Sequence, residues 1–152
     1  MFNSSCDQVH ENIWITDITT IREQSIPNFT HVITVCQEGV EDNISSDIVY
    51  DDSHKFNLAD GVSGYYKGEC TYELFEDAAD KIFEVLQESP RLLVHCHAGQ
   101  SRSAATTIAA VARFESESYK SIHDAVKKER PQINPNEPLE KFARRYIENH
   151  SS

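Results

Sequence analysis

The sequence predicts a single-domain α/β fold in which helices surround a small central sheet. Three features favour this class: β-strand patterns in the first part of the chain, amphipathic helix patterns in the last part, and one strand–loop–helix unit between them. The length of 152 residues also fits one domain better than two, so residues 1–152 are expected to fold as one unit.

Each strand is predicted from its own pattern. Residues 12–18 (NIWITDI) alternate apolar and polar side chains, which is typical of a short half-buried strand. Residues 29–36 (FTHVITVC) are β-branched and apolar between turn residues, which indicates a core strand. Residues 48–50 form a short candidate strand, and residues 91–95 (RLLVH) are a continuous apolar run, typical of a strand covered on both faces.

Four helices are predicted from apolar side chains spaced three and four residues apart. They cover residues 71–88, 104–114 and 122–128, and a last segment from Leu139 to Ile147. Pro90 and Pro131 end the first and the third of these helices, because proline restricts the preceding residue to extended conformations. Asn136 is expected to cap the last helix.

The net charge excludes some classes of partner. With 14 basic and 25 acidic residues the chain carries a charge of −11, so we expect no nucleic-acid partner and no binding to an anionic membrane. No apolar run approaches the ~18 residues of a membrane span. Residues 1–76 carry the whole excess of negative charge, which either keeps the surface solvated or favours basic partners near the site.

Cysteine spacing and the first residues indicate the cellular setting. The four cysteines (Cys6, Cys36, Cys70 and Cys96) have no short paired spacing, so we expect no disulfide framework and no metal site. No other cofactor is expected. The first residues have neither the basic nor the apolar region of a secretory signal, so we expect a cytoplasmic protein, with the nucleus as an alternative.

The segment that indicates chemistry is residues 94–104 (VHCHAGQSRSA). A buried strand ends in Cys96, a tight loop with Gly99 follows, and a helix starts near Arg102. Backbone N–H groups of the loop, the positive helix end and the Arg102 guanidinium would together bind a tetrahedral phosphate. The same positive field would favour the nucleophilic thiolate form of Cys96, which would attack phosphorus and form a cysteinyl-phosphate. The predicted phosphate-binding residues are His97, Ala98, Gly99, Gln100, Ser101 and Arg102.

Each of these residues also has a simpler interpretation. A cysteine at a strand end is most often a small hydrophobic residue, and Gly99 by itself is a turn residue. The His-Cys-His run could suggest a metal site, but neighbouring strand residues point to opposite faces. The catalytic interpretation is favoured because strand, cysteine, five residues, arginine and helix occur together.

The loop resembles the signature of the cysteine-based protein tyrosine phosphatases, His-Cys-x-x-Gly-x-x-Arg-Ser/Thr, and the fuller form LLVHCHAGQSRSA is similar to the dual-specificity subfamily. The segments NIWITDI, FEDAADKIFEVL and RPQINPN resemble other parts of the same family, so the resemblance covers most of residues 9–148. It implies a protein tyrosine phosphatase-like fold with a mostly parallel sheet.

The resemblance also implies roles for single residues. His95 would orient the Cys96 thiolate and help to stabilise it, and Ser103 would ease departure of the thiolate in the second step. A general acid is required on a separate loop, and Asp60 is predicted to be this residue, with Asp51 and Asp52 as alternatives. The interval between Asp60 and Cys96 is longer than usual in the subfamily, because residues 61–70 look enlarged.

The predicted function is a dual-specificity protein phosphatase that acts on phosphotyrosine and phosphoserine/threonine in protein substrates. Two alternatives remain. One is a phosphatase for a non-protein phosphate, such as a phosphoinositide or the 5′ end of RNA, which the acidic chain disfavours. The other is a catalytically weak phosphoprotein-binding module, against which Cys96, Arg102 and Asp60 all argue.

Overall fold

The computed structural model describes residues 6–23, 28–60 and 70–151. Four strands are present in these ranges: β1 (Asp7–His10), β2 (Ile13–Thr16), β3 (His31–Thr34) and β4 (Leu92–His95). Five α-helices accompany them: α1 (Ile18–Glu23), α2 (Tyr72–Leu86), α3 (Arg102–Glu115), α4 (Tyr119–Glu129) and α5 (Glu137–Asn149). Two short 3₁₀ turns lie at Glu41–Asn43 and Asp52–His54. The predicted α/β class is thus confirmed.

The sheet order β1-β2-β4-β3 places β4 between two parallel neighbours, and β1 pairs with β2 in antiparallel fashion. The sheet is therefore mostly parallel, as the resemblance implied. His95 lies level with Thr16 and Thr34 at the carboxyl end of these strands. The residue after His95 therefore lies at the carboxyl end of the central strand, which is where α/β folds usually bind ligands.

Helix α3 packs against β4, α2, α4 and α5 and is the centre of the main core. Every residue from 102 to 112 is buried, and five of them are alanines. Small side chains allow close approach of neighbouring elements, so this helix can be covered by three others at once. A smaller apolar cluster covers the other face of the sheet.

Three local predictions differ from the structure. Residues 12–18 do not form one strand, because the Asp17 carboxylate accepts a 2.6 Å hydrogen bond from the Thr20 amide and begins α1. Residues 48–50 make only an isolated bridge through Val49 to His31. Asn136 occupies the N-cap position of α5, but its side chain makes no cap hydrogen bond. Strand β1 was not predicted.

The predicted enlargement at residues 61–70 lies almost entirely outside the described residues. None of the described helices is long and apolar enough to cross a membrane.

Candidate active site

The loop at residues 96–101 joins the central strand to the buried helix. Ser101 is the N-cap of α3, and Arg102 is its first residue. Within the described part of the chain, the amides of Ala98, Gln100, Ser101 and Arg102 find no acceptor. Free N–H groups at a helix start are a favourable position for an anion.

Cys96 lies at the base of this loop and is only 2% exposed. The Gly99 amide donates a hydrogen bond to Sγ at 3.2 Å, and Ser103 Oγ is also 3.2 Å from Sγ. The loop and the first turn of α3 therefore both direct hydrogen-bonding groups at this sulfur atom.

Gly99 has a backbone conformation that requires glycine. Its φ angle is +67°, and a Cβ atom there would lie 2.6 Å from Arg130 Nη2 and 2.8 Å from the Thr16 carbonyl oxygen. Any side chain would push the loop away from Arg130 and β2.

Arg130 supports the loop from the interior and is 1% exposed. Its Nε donates to the Gly99 carbonyl at 2.8 Å, and its Nη1 donates to Asp7 Oδ2 at 2.7 Å. This residue follows α4, and the sequence indicates no role for it beyond its place in RPQINPN. Its partners are 31 and 123 residues away along the chain, which no local pattern could indicate.

His95 contacts the backbone of Cys96 rather than its sulfur. Its Nδ1 is 3.2 Å from the Cys96 carbonyl oxygen, and its Nε2 is 2.6 Å from Thr34 Oγ1. Because a carbonyl can only accept, Nδ1 carries the proton and Nε2 accepts from the Thr34 hydroxyl. Thr34 Oγ1 in turn lies 2.7 Å from the Tyr50 hydroxyl. Burial lowers the pKa of His95 to about 4, so the imidazole is neutral at pH 7.

The Arg102 guanidinium is mostly buried, and only some of its N–H groups make hydrogen bonds. Its Nη1 donates to Gln37 Oε1 at 3.0 Å and to the Leu58 carbonyl at 3.1 Å. Its Nε is buried and has no hydrogen-bond partner among the described residues. A buried donor of this kind is costly unless a ligand accepts from it.

Asp60 lies in the same pocket as Cys96 and Arg102. Its Oδ1 is buried without a partner in the described part of the chain, and its backbone carbonyl accepts from Asn136 Nδ2. This bond explains why the Asn136 side chain does not cap α5.

Neither alternative acid lines the pocket. The Asp51 carboxylate accepts from the Ser53 amide, the Ser53 hydroxyl and His54 Nδ1. These hydrogen bonds hold the pKa of Asp51 well below its usual range, so this group does not carry a proton to donate. Asp52 is exposed and lies 3.6 Å from Lys55 Nζ.

The pocket has a volume of about 120 Å³ and collects groups from distant parts of the chain. The residues that line it are Asp60, Cys96, Ala98, Gln100, Ser101, Arg102, Asn134 and Asn136. The Asn134 amide donates to the Gln100 carbonyl at 2.7 Å, and the Asn136 amide donates to Ser101 Oγ at 2.9 Å. The segment after α4 therefore fixes the loop, a contribution that the sequence analysis missed.

Three further features concern the surroundings of this pocket. His97 is exposed beside the loop, with Nε2 3.8 Å from Glu38 Oε1, and its side chain does not line the pocket. A larger groove of about 610 Å³ runs along β1 and α4, but it contains none of the predicted catalytic groups. The smaller pocket is therefore the candidate active site. Among the residues described, no three histidine, cysteine or acidic side chains are grouped to hold a metal ion.

Comparison with known proteins gives consistent similarities. A family model described as "Dual specificity phosphatase, catalytic domain" matches residues 14–146. Human dual specificity protein phosphatase 21 is 38% identical over 65 residues, which cover 43% of this chain and 34% of that protein. Bovine dual specificity protein phosphatase 18 is 28% identical over 135 residues, which cover 88% of this chain and 68% of that protein.

Similarity to solved structures extends over nearly the whole chain. The crystal structure of human DUSP28 matches with a TM-score of 0.77 and 18% identity, covering 97% of this chain and 96% of that one. At an identity of 18%, the similarity shows that the two chains share a fold. In several of the curated relatives, the aligned part of this chain spans only about a third of the relative's length.

Proposed function

The chain belongs to the dual specificity phosphatase family, and on this premise we propose that it hydrolyses phosphotyrosine and phosphoserine/threonine monoesters in proteins. The proposal rests on one observation, which is the set of side chains that meet at one small pocket. There the Cys96 thiol lies with a buried Arg102 Nε–H that has no acceptor and a buried Asp60 oxygen that has no partner among the described residues. A phosphate monoester supplies acceptors for the first and a leaving oxygen for the second.

In the first step, the Cys96 thiolate attacks phosphorus and forms an S–P bond while the bond from phosphorus to the ester oxygen breaks. The Arg102 side chain and the free amides of Ala98, Gln100, Ser101 and Arg102 bind the phosphoryl oxygens, whose charge is greatest in the transition state. The protonated Asp60 carboxyl gives its proton to the leaving oxygen, which departs as an alcohol or a phenol.

In the second step, water attacks phosphorus and the S–P bond breaks. The Asp60 carboxylate takes the proton from water, and inorganic phosphate is the product. The Ser103 hydroxyl, 3.2 Å from Sγ, donates a hydrogen bond to the departing thiolate. The S–P bonding electrons return to sulfur, and Asp60 regains from water the proton that it gave to the leaving oxygen, so the enzyme is regenerated without a cofactor.

His95 acts on this chemistry through the backbone. A neutral imidazole that donates to the Cys96 carbonyl fixes the orientation of the peptide that carries the nucleophile. His95 is therefore a positioning residue rather than a proton donor.

Replacement of the nucleophile tests the proposal. Cys96→Ser is expected to abolish turnover, because a serine hydroxyl is not ionised at neutral pH, while phosphopeptide binding survives. The assay uses phosphotyrosine and phosphothreonine peptides, inositol phosphates and triphosphate-ended RNA. Residual turnover within tenfold of the parent would contradict the role of Cys96. Preference for a non-protein phosphate would contradict the substrate class, and peptide binding without hydrolysis by the parent would indicate a binding module.

A further inference from the structure

The side chain of Gln37 lies between two parts of the site that the sequence separates. Gln37 follows β3, and its carboxamide makes two hydrogen bonds. Oε1 accepts from Arg102 Nη1 at 3.0 Å, and Nε2 donates to the Leu58 carbonyl at 3.0 Å.

A third hydrogen bond closes the arrangement. Arg102 Nη1 also donates to the Leu58 carbonyl, at 3.1 Å. The guanidinium, the carboxamide and the carbonyl therefore form a triangle in which each group contacts the other two. The Leu58 carbonyl uses both of its lone pairs within this triangle.

Chemistry fixes the orientation of the carboxamide. Arginine can only donate and a backbone carbonyl can only accept, so the Gln37 oxygen must face Arg102 and its nitrogen must face Leu58. Glutamine is suited to this position because it offers one acceptor and one donor at the same end of a side chain.

The neutrality of the amide also matters. A carboxylate in place of the carboxamide would accept from Arg102 more strongly, but it would compensate the charge that binds the phosphoryl group. It would also place an oxygen against the Leu58 carbonyl and lose the donor. The neutral Gln37 amide orients Arg102 without compensating its positive charge, so that this charge can bind the phosphoryl group of the substrate.

Leu58 connects the triangle to the acid. Its side chain is fully buried, and two residues later comes Asp60, which lines the pocket and has a buried Oδ1. A displacement of the Leu58 carbonyl therefore moves the backbone that carries Asp60. Gln37 thus contacts both the residue that binds phosphate and the segment that donates the proton.

We propose that Gln37 is a positioning residue that sets the orientation of Arg102 and the placement of Asp60 together, a role that rests on the proposed function. Two consequences follow. Loss of the carboxamide should weaken phosphate binding, and it should also make hydrolysis more sensitive to the leaving group.

The test uses Gln37→Met, which keeps the length of the side chain and removes both hydrogen bonds. A matched control is Gln87→Met, because Gln87 is exposed and its Nε2 also donates to a backbone carbonyl, that of Phe83. Inorganic phosphate binding is measured by calorimetry. Turnover is measured with phenyl phosphate and with an aryl phosphate of a very acidic phenol.

Gln37→Met is expected to weaken phosphate binding about tenfold, since a hydrogen bond to a charged group is lost. It should lower kcat/KM for phenyl phosphate at least tenfold more than for the activated ester. In the Asp60→Asn background, Gln37→Met should add nothing to the leaving-group sensitivity, because the acid is already absent. Gln37→Glu should weaken phosphate binding as well, and the control should change neither quantity.

Other outcomes separate the two proposals. Unchanged phosphate binding and unchanged leaving-group sensitivity in Gln37→Met would overturn the role of Gln37. So would an equal loss for both esters accompanied by a lower unfolding midpoint, because that pattern reports only a structural defect. If the parent chain binds phosphate but hydrolyses neither ester, the proposed function fails, while weaker phosphate binding by Gln37→Met would still support the positioning of Arg102.

Discussion

In the proposed mechanism, Asp60 supplies the proton that a thiolate cannot. An alkoxide or phenoxide must gain a proton as the P–O bond breaks, and the cost of missing that proton grows with the pKa of the leaving group. Asp60→Asn is therefore expected to slow hydrolysis of phenyl phosphate about 10²–10⁴-fold and to slow an aryl phosphate with a very acidic phenol much less.

Asp51→Asn and Asp52→Asn are the controls for this measurement. Neither residue lines the pocket, so neither variant should change the leaving-group sensitivity. A selective loss in one of these two variants, with none in Asp60→Asn, would contradict the assignment of the acid.

The buried imidazole of His95 makes the stability of the fold depend on pH. Burial lowers its pKa from 6.5 to about 4, so between these values the unfolded chain binds a proton that the folded chain does not. The contribution of His95 to the free energy of unfolding is fully present at pH 7. As the pH falls from 6.5 toward 4, this contribution is lost, and the free energy of unfolding decreases by about 3 kcal/mol. Burial lowers the pKa of His31 too, which adds in the same direction.

Two measurements check this expectation. Urea unfolding from pH 7 to pH 4 should show a falling free energy of unfolding, and the NMR titration of the His95 ring should show a neutral imidazole at pH 6. A His95 pKa at or above 6.5 would contradict the neutral positioning role.

At the scale of elements, Arg130 connects the 96–101 loop with β1. Arg130→Met removes the bonds to Gly99 and Asp7 and leaves a carboxylate and a carbonyl without this partner. Loss of this partly buried ion pair and of the buried hydrogen bond to Gly99 is expected to lower the free energy of unfolding by about 3 kcal/mol. The kcat/KM value should fall because the Gly99 amide no longer faces Cys96 correctly. Denaturant unfolding and steady-state kinetics measure the two effects.

Lys128→Met is the matched control, since Lys128 is an exposed cation on the preceding helix. It should change neither stability nor kcat/KM. Full activity in Arg130→Met would show that the loop holds its conformation without the guanidinium.

Elements with a strong local pattern were predicted correctly from the sequence. Helix α2 has an apolar face and an N-cap at Thr71, and β4 is a continuous apolar run, so each pattern matches one structure. Strand β1 has no such pattern, because only Val9 among its four residues is buried. Helix α1 was missed because six residues are too few to show helical periodicity, and the cap at Asp17 looked like the end of a strand.

At the scale of the whole molecule, the site joins segments that lie far apart along the chain. The 96–101 loop was predictable because strand, loop and helix are adjacent in sequence. Gln37, Arg130 and Asn136 were not, because each reaches the loop only through the topology that places β4 in the centre. The pocket is therefore assembled only when these distant segments come together in the folded chain.

The central claim is that Cys96 forms a covalent bond to phosphorus, and trapping of that intermediate tests it most directly. Ser103→Ala should slow departure of the thiolate, so the intermediate should accumulate after mixing with an aryl phosphate and rapid denaturing quench. Peptide mapping is predicted to find up to one phosphate per chain, on Cys96, and none when Cys96→Ser is added. Release of the phenol with no phosphate on Cys96, or with phosphate on another residue, would contradict the mechanism.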